Sequence, residues 1–175
     1  MKKGLRLWAL LSIIFVSTLL ITNTILYGVI LYQDANTVQK REEKLLLSLG
    51  KQLALEPAIQ QTLQTNNYSE KTEQYTLDVI QIHQLDFIVL MTMDGIRLTH
   101  PDKTKIGKHF EGGDEKSALE GRVHISISDG TLGRSLRGFV PVYAHEKQIG
   151  VIALGIKLNS LSRLIENSRQ QYTLA

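Results

Sequence analysis

The sequence of 175 residues predicts an α+β domain that follows one membrane-spanning helix. Three observations predict it: a long uncharged stretch near the amino terminus, a segment with apolar residues at helical spacing after it, and short strand-like runs separated by turn residues in the second half. A chain of this length, less one span, can form a single folded domain with a hydrophobic core.

The uncharged stretch runs from Leu7 to Gln33. At about 1.5 Å per residue, a helix of this length crosses a hydrocarbon core of about 30 Å. A cleaved signal peptide is the alternative, but its apolar region is typically about 7–15 residues long and ends at a small-x-small site. The flank from Ile30 to Asp34 offers no such site. We therefore expect an uncleaved anchor, with Tyr27 and Tyr32 at the outer interface.

Three basic residues, Lys2, Lys3 and Arg6, precede the anchor and supply the whole formal charge of +3. By the positive-inside rule they place the amino terminus in the cytoplasm. The rest of the chain is electrically balanced, which argues against a nucleic-acid-binding surface. The expected divisions are a cytoplasmic amino terminus, a transmembrane helix and an extracytoplasmic domain, over residues 1–6, 7–33 and 34–175.

Cysteine is absent and the five histidines are scattered. The sequence therefore has no disulfide framework or thiolate metal site, and no histidine pair has ligand spacing. It also lacks a Ser/His/Asp set, a pair of glutamates at convincing spacing and a nucleophile with a base. We expect no metal, no cofactor and no catalysis in this chain.

Helical spacing predicts a long helix from Ala35 to about Thr65, which Asn66-Asn67 ends. Ser69 is the expected N-cap of a second helix over Glu70–His83, with Glu73 near the capping-box position. These two helices precede every predicted strand.

The first predicted strand is the apolar run Asp86–Met93, bounded by Asp94-Gly95. Asp-Gly between apolar runs is a strong hairpin signal, so Ile96–Thr99 is predicted as the partner strand. Pro101–Gly113 is predicted as a loop and Asp114–Leu119 as a short helix.

Three further strands are predicted over Val123–Ser128, Ser135–Tyr143 and Ile149–Lys157. A hairpin turn, Ala144–Gln148, joins the last two, and a terminal helix follows over Leu158–Tyr172. Two helices, a five-stranded antiparallel sheet and a terminal helix make an α+β domain of extracellular PAS-like type. A helix that enters the domain and one that leaves it suit a protein that returns to the membrane. We therefore expect this chain to be cut before a second span.

Two short stretches concentrate hydrogen-bond donors. In the first, Arg97 and Thr99 share one strand face, and His100, before a proline, can turn to the same side. In the second, Arg137 and Phe139 share a strand face. A guanidinium holds a carboxylate as a planar fork, so two arginines with a histidine and hydroxyls suit a dianion. Taken separately, each arginine is more often a solvated strand residue, and the histidine a loop residue.

Four linked stretches resemble the sensor domain of the citrate and dicarboxylate sensor kinases, the CitA and DcuS type: residues 93–101 (MDGIRLTHP), 106–115 (IGKHFEGGDE), 130–142 (GTLGRSLRGFVPV) and 149–155 (IGVIALG). The resemblance implies a PAS-like fold of the PDC type, binding of citrate, fumarate, succinate or malate, and a parent sensor histidine kinase. Its expected partners are the small carboxylate, the membrane, a second copy in a homodimer and a response regulator.

Carried over by the resemblance, the expected ligand-binding residues are Arg97, His100, Phe110, Thr131, Arg137 and Phe139. Citrate-specific members tend to have lysine where this chain has Phe139, and some members have serine where it has Ala153. The missing cation and hydroxyl remove partners for a third carboxylate. A four-carbon dicarboxylate is therefore favoured, and citrate is the alternative.

The tetrad Gly112-Gly113-Asp114-Glu115 is similar to the signature of diguanylate cyclases, but Lys116 replaces the aromatic residue that follows it there. The segment is also expected on the opposite side of the membrane from GTP. We instead expect these glycines to shape a loop beneath the ligand, with Asp114 as the cap of the short helix. For the parent protein, a chemoreceptor or another output is the alternative to a kinase.

Overall fold

The computed structural model describes residues 7–173, except for the side chains of residues 30, 31, 33–36, 164 and 167–173. Contacts divide the chain into two compact units, one up to Val38 and one from Gln39 onward. The second unit contains the sheet and every residue of the predicted site.

Helix α1 comprises Leu7–Leu53. Within it, the 23 residues Leu7–Val29 are long and apolar enough to cross a membrane, and none of the most apolar window is buried. No other helix in the described part of the chain meets the same criteria.

The prediction of a single helix from Ala35 to Thr65 is wrong, because the helix is interrupted before Pro57. Helix α1 ends at Leu53, and helix α2 comprises Pro57–Thr65 with Pro57 at its first position. Glu56, between them, has an extended backbone with φ −71° and ψ 121°. A proline ring disfavours the helical conformation in the residue before it and is well placed to begin a new helix.

Helix α3 comprises Glu70–His83, as predicted, and the Ser69 side chain accepts a hydrogen bond from the Thr72 amide at its start. Glu73 does not complete a capping box. Its buried carboxylate accepts from the Tyr68 hydroxyl and lies 3.1 Å from Lys103 Nζ, on the turn that follows the predicted site strand. This contact connects helix α3 to the loop of the candidate site.

The sheet has four antiparallel strands in the order β1-β4-β3-β2. Their bounds are Phe87–Met91 for β1, His124–Ser128 for β2, Ser135–Ala144 for β3 and Lys147–Lys157 for β4. Strands β3 and β4 meet at His145 and Glu146, whose φ angles are 48° and 65°. Two left-handed residues in a two-residue loop make the hairpin turn that matches the twist of paired strands.

The predicted fifth strand, Ile96–Thr99, is not a strand in the structure. It makes only isolated bridges, one between Arg97 and Met91 and one between Ile96 and His109. The hydroxyl of Thr99 accepts the hydrogen bond of the Leu90 amide, where a strand would offer a backbone carbonyl. A side chain that replaces a backbone acceptor interrupts the regular ladder.

The two faces of the sheet are covered by different elements. On the helix face, a Cβ atom at Gly50 of α1 would lie 2.7 Å from Val140 and 2.8 Å from Leu154, so helix and strands touch closely. On the opposite face, which we call the loop face, an apolar cluster is formed by Phe87, Val89, Met91, Ala118, Phe139, Val151 and Ala153, with Phe110, Leu119 and Leu132 against it. Because side chains alternate along a strand, Arg137 and Phe139 point to the loop face while their neighbours Gly138 and Val140 point to the helices.

The remaining helices are α4, Lys116–Leu119, and α5, Leu158–Thr173. Helix α5 follows β4 directly, and its first amide, of Leu158, donates to the Arg134 carbonyl at 3.0 Å. The preceding amide, of Lys157, donates to the Asp86 carboxylate at 2.7 Å. The start of α5 is thus held by the residues that precede strands β3 and β1.

Candidate functional site

Arg97 is buried beside the loop that follows it, with 1% of its surface exposed. Its Nε donates to the Lys108 carbonyl at 3.3 Å, and its Nη2 lies 3.6 Å from Glu111 Oε1. Among the residues that the structure describes, Nη2 has no hydrogen-bond partner. A buried guanidinium nitrogen without a partner is costly, and an anion would satisfy it.

Arg137 is equally buried, at 2% exposed, and is held on several sides. Its Nε donates to Ser135 Oγ at 3.1 Å, and its Nη2 donates to the Ser128 carbonyl at 3.2 Å. Its Nη1 donates to Asp114 Oδ1 at 3.0 Å and to the Glu111 carbonyl at 3.2 Å. Glu111 therefore contacts both arginines, with its carboxylate toward Arg97 and its carbonyl toward Arg137.

Two glycines make room for the Arg137 guanidinium. A Cβ atom at Gly112 would lie 2.5 Å from its Nη1, and one at Gly130 would overlap its Nη2. Gly112 also has φ +136°, a conformation that other residues rarely adopt. Of the two glycines predicted to shape a loop beneath the ligand, Gly112 makes this close approach and Gly113 has φ +76°; the position of the ligand stays a prediction.

Asp114 does not cap the short helix, and that prediction is wrong. The N-cap position is Glu115, without a side-chain hydrogen bond. The Asp114 carboxylate instead faces Arg137 and accepts a hydrogen bond from Ser126 Oγ. A buried guanidinium attracts a nearby carboxylate more strongly than the first amides of a one-turn helix do.

The His100 ring is fixed at both nitrogens. Its Nδ1 lies 2.9 Å from the Asp102 amide nitrogen and 3.0 Å from the Asp102 carbonyl oxygen, and its Nε2 lies 3.2 Å from Thr131 Oγ1. Burial, together with the positive charge of Arg97, lowers the pKa of His100 below its ordinary value of 6.5. The lowered pKa favours the neutral ring.

The two phenylalanines of the predicted site pack edge to face. The ring centroids of Phe110 and Phe139 are 5.6 Å apart, with an interplanar angle of 80°. Arg137 Cζ lies 5.7 Å from the Phe110 centroid, a distance at which a cation is attracted to a ring face. Phe139 is fully buried and also stacks on His124, at 6.4 Å between centroids.

A small cavity lies between the sheet and the loops at this site. Its volume of about 10 Å³ suits one water molecule. Its lining residues are Phe87, Val89, His100, Phe110, Glu111, Gly130, Thr131, Leu132, Ser135 and Arg137. Four of the six predicted site residues thus meet at one cavity. Arg97 and Phe139 do not line it, but each contacts a lining residue, Glu111 and Phe110 respectively.

Two acidic residues of the site, Glu111 and Asp114, were not among the predicted site residues. Each faces one of the buried arginines. The signal available in the sequence was that Asp114 lies in a glycine-rich loop without an obvious partner. The neighbouring residues alone suggested a helix cap for Asp114. Its contact with Arg137, 23 residues further on, depends on the tertiary structure.

Comparison with known proteins identifies the relatives of this domain. The family model described as single Cache domain 3 matches residues 32–170. The sensor histidine kinase DcuS of Escherichia coli is 31% identical over 170 residues, which make up 97% of this chain and 31% of that protein. A probable C4-dicarboxylate sensor kinase of Bacillus subtilis is 29% identical over 149 residues, or 84% of this chain and 28% of that protein. The chain spans about a third of the length of these relatives.

Solved structures agree with the sequence relatives. The crystal structure of the E. coli DcuS sensor domain matches with a TM-score of 0.71 and 32% identity, covering 74% of this chain and 98% of that chain. The structure of the sensory domain of the fumarate sensor DcuS of E. coli matches with a TM-score of 0.52 and 29% identity, covering 73% and 96%. The sensor domain of the Vibrio cholerae histidine kinase DctB, at 15% identity and a TM-score of 0.59, shares the fold. The predicted α+β, PAS-like sensor fold is confirmed.

Proposed function

This chain belongs to the single Cache domain 3 family, and from that premise we propose that it is the extracytoplasmic sensing portion of a two-component histidine kinase that binds a four-carbon dicarboxylate. Malate, fumarate and succinate are the favoured ligands. The observation that carries the proposal is the pair of buried guanidinium groups, Arg97 and Arg137, which approach the same residue, Glu111, from two sides.

Two guanidinium groups suit an acid with two carboxylates. Each charge-assisted hydrogen bond to a carboxylate contributes on the order of 1.5–3 kcal/mol. Arg97 Nη2, without a hydrogen-bond partner in the described residues, supplies donors for one carboxylate. Arg137, next to the cavity, supplies donors for the other. His100 and Thr131, on the cavity wall, add hydrogen-bonding groups for a carboxylate or a hydroxyl.

The aromatic side of the site favours a four-carbon acid over citrate. Phe139 is fully buried against Phe110, and neither ring offers a donor to a third carboxylate. An unpaired carboxylate against apolar rings is costly, so citrate loses more than it gains from its additional group. Citrate is therefore the alternative ligand in this proposal.

The setting of the domain is part of the same proposal. The apolar segment Leu7–Val29 would anchor the chain in the membrane, with residues 1–6 in the cytoplasm and the domain from residue 34 onward outside. The proposal includes a kinase region, a cognate response regulator and a homodimer, because the relatives are sensor kinases about three times the length of this chain.

Calorimetric titration of the 175-residue chain in detergent micelles would test the proposal. Malate, fumarate, succinate and citrate are the ligands, and acetate is the control with one carboxylate. We expect saturable binding of the four-carbon acids, weaker binding of citrate and none of acetate at the same concentration. If none of the di- and tricarboxylates bound, the assignment would be wrong.

A further inference from the structure

The site already contains two carboxylates that face its two arginines. Glu111 Oε1 lies 3.6 Å from Arg97 Nη2, and Asp114 Oδ1 lies 3.0 Å from Arg137 Nη1. With His100 neutral, the two positive and two negative charges balance. A site for a dianion would be expected to carry net positive charge, so the balance requires an explanation.

We propose that Asp114, assisted by Glu111, is an internal competitor that occupies the carboxylate position at Arg137 and is displaced when the ligand binds. The proposal rests on the function proposed above and adds the residues that set affinity and selectivity. The acidic loop that carries them comprises residues 111–114.

The donors of Arg137 show why displacement is needed. Four of its N–H groups point at protein oxygens, those of Ser135, Glu111, Asp114 and Ser128. A guanidinium has one further N–H group, which cannot form the paired, bidentate contact with a ligand carboxylate. If Asp114 and Glu111 withdraw, an N–H group of Nη1 becomes free to pair with the remaining N–H group of Nη2 in that contact.

The volume of the cavity leads to the same conclusion. At about 10 Å³ it suits one water molecule, far less than a four-carbon acid needs. Glu111 lines the cavity and its side chain is 55% exposed, so outward movement of the acidic loop would both enlarge the cavity and release Arg137. Gly112 and Gly113, with φ of +136° and +76°, give this loop a backbone that other residues would restrict.

Displacement also gives selectivity. A ligand that replaces Asp114 exchanges one carboxylate for another at Arg137, which is nearly neutral in free energy. Net affinity then depends on the second carboxylate at Arg97, whose Nη2 has no hydrogen bond in the described residues. A monocarboxylate can make the exchange but gains nothing further, so it would not compete successfully with Asp114.

Substitution of Asp114 tests the proposal by the direction of its effect. In the 175-residue chain in micelles, Asp114→Asn should tighten fumarate binding by about tenfold or more, because the competing charge is removed. Asp129→Asn, which removes an exposed negative charge from a nearby position, is the matched control and should change the dissociation constant by less than about twofold. Glu111→Gln should tighten binding by a smaller factor.

A second variant keeps the test informative if Asp114→Asn does not fold. Ser126→Ala removes the hydroxyl that holds Asp114 toward Arg137 and should also tighten fumarate binding. If the wild type binds fumarate and these variants bind it equally or more weakly, Asp114 supports Arg137 and the competitor role is wrong. If neither the wild type nor any variant binds a dicarboxylate, the proposed function itself has failed.

Discussion

His100 Nε2 lies 3.2 Å from Thr131 Oγ1, so the loop after β1 meets the loop before β3 at a titratable ring. The Asp102 amide hydrogen is directed at the other ring nitrogen. The Asp102 carbonyl oxygen lies 3.0 Å from the same nitrogen and can accept a hydrogen bond when Nδ1 carries a proton. Both ring nitrogens thus have hydrogen-bond partners, and the ring can gain or lose a proton without leaving its position.

Ligand binding should therefore depend on pH. The pKa of His100 is lowered in the free site, first by burial and then by Arg97, and a bound dianion would raise it. Binding then takes up a proton, so the affinity for fumarate should increase as the pH falls through the pKa of the bound state and decrease as the pH rises. Calorimetry from about pH 8.5 to about pH 5.5 measures this dependence. His100→Gln should flatten the profile, and an identical slope in that variant would assign the proton to another group.

Arg97→Ala should weaken fumarate binding by about 2–4 kcal/mol, because it leaves a ligand carboxylate buried without its partner. Arg137→Ala should weaken binding less, because the ligand only replaces Asp114 at that guanidinium, and should also lower the melting temperature, since Asp114 and the Ser128 carbonyl lose their donor. Titration and thermal unfolding of both variants separate the two effects. Wild-type affinity in either variant would exclude that arginine from the ligand site.

Phe139→Lys should improve citrate binding relative to malate, since it supplies a cation for a third carboxylate. Phe139 is fully buried between Phe110 and His124, so the charged side chain should also lower the melting temperature. Phe139→Leu is the control, because it disturbs the packing without adding charge. The ratio of the citrate and malate dissociation constants is the measurement, and an unchanged ratio would place the new cation outside the ligand's reach.

Glu73→Gln should lower the melting temperature by about 2–4 °C, the shift expected for a modest loss of stability in a domain of this size. Burial raises the pKa of Glu73, but the hydrogen bonds from Tyr68 and Lys103 outweigh it and the pKa is lowered overall from 4.5. The stabilisation is therefore present above about pH 4.5 and is lost as the pH falls through the lowered pKa. Thermal unfolding between neutral pH and about pH 3 should show a smaller acid sensitivity in the variant than in the wild type. Equal sensitivity would contradict the role of this contact.

Ligand binding should change the position of helix α5 if the protein is the proposed homodimer. Its first amide is held by Arg134, which lies three residues before Arg137. A movement of the start of β3 would therefore reach the helix without an intervening linker. Cysteines introduced at Ser160 or Ser162 in this cysteine-free chain should cross-link at different rates with and without saturating fumarate. Unchanged rates, with the ligand bound, would exclude a displacement of α5.

The elements that local sequence determines were predicted closely. Glu70–His83 has a serine cap and helical spacing, and both survive in the structure. The apolar periodicity on both sides of Pro57 favoured one continuous helix. In the structure the helix is interrupted there, and a new helix begins at the proline. Ile96–Thr99 has strand character, but a Thr99 hydroxyl takes the place of a backbone acceptor. Whether a side chain replaces a backbone acceptor in this way depends on its neighbours in the tertiary structure, which the periodicity of the sequence does not show.

The site was predicted less completely than the fold. His100, Phe110, Thr131 and Arg137 meet at one cavity, as the resemblance implied. Their ligand-binding role stays a prediction. Asp114 was predicted as the cap of the helix next to it, because the sequence shows only its neighbours along the chain. Its actual partner, the Arg137 guanidinium, is close to it only in the folded structure.

Alternation along strand β3 separates two kinds of contact. Arg137 and Phe139 face the loops, where a neighbour can move, whereas Gly138 and Val140 face α1 at contact distance. A Cβ atom at Gly138 would lie 3.0 Å from Leu46, and one at Gly50 would lie 2.7 Å from Val140. Substitutions at Arg137 or Phe139 therefore act first on the contacts of the loop face, and substitutions at Gly138 or Val140 act on the packing against α1. The same strand thus carries the candidate site on one face and packs against the helices with the other.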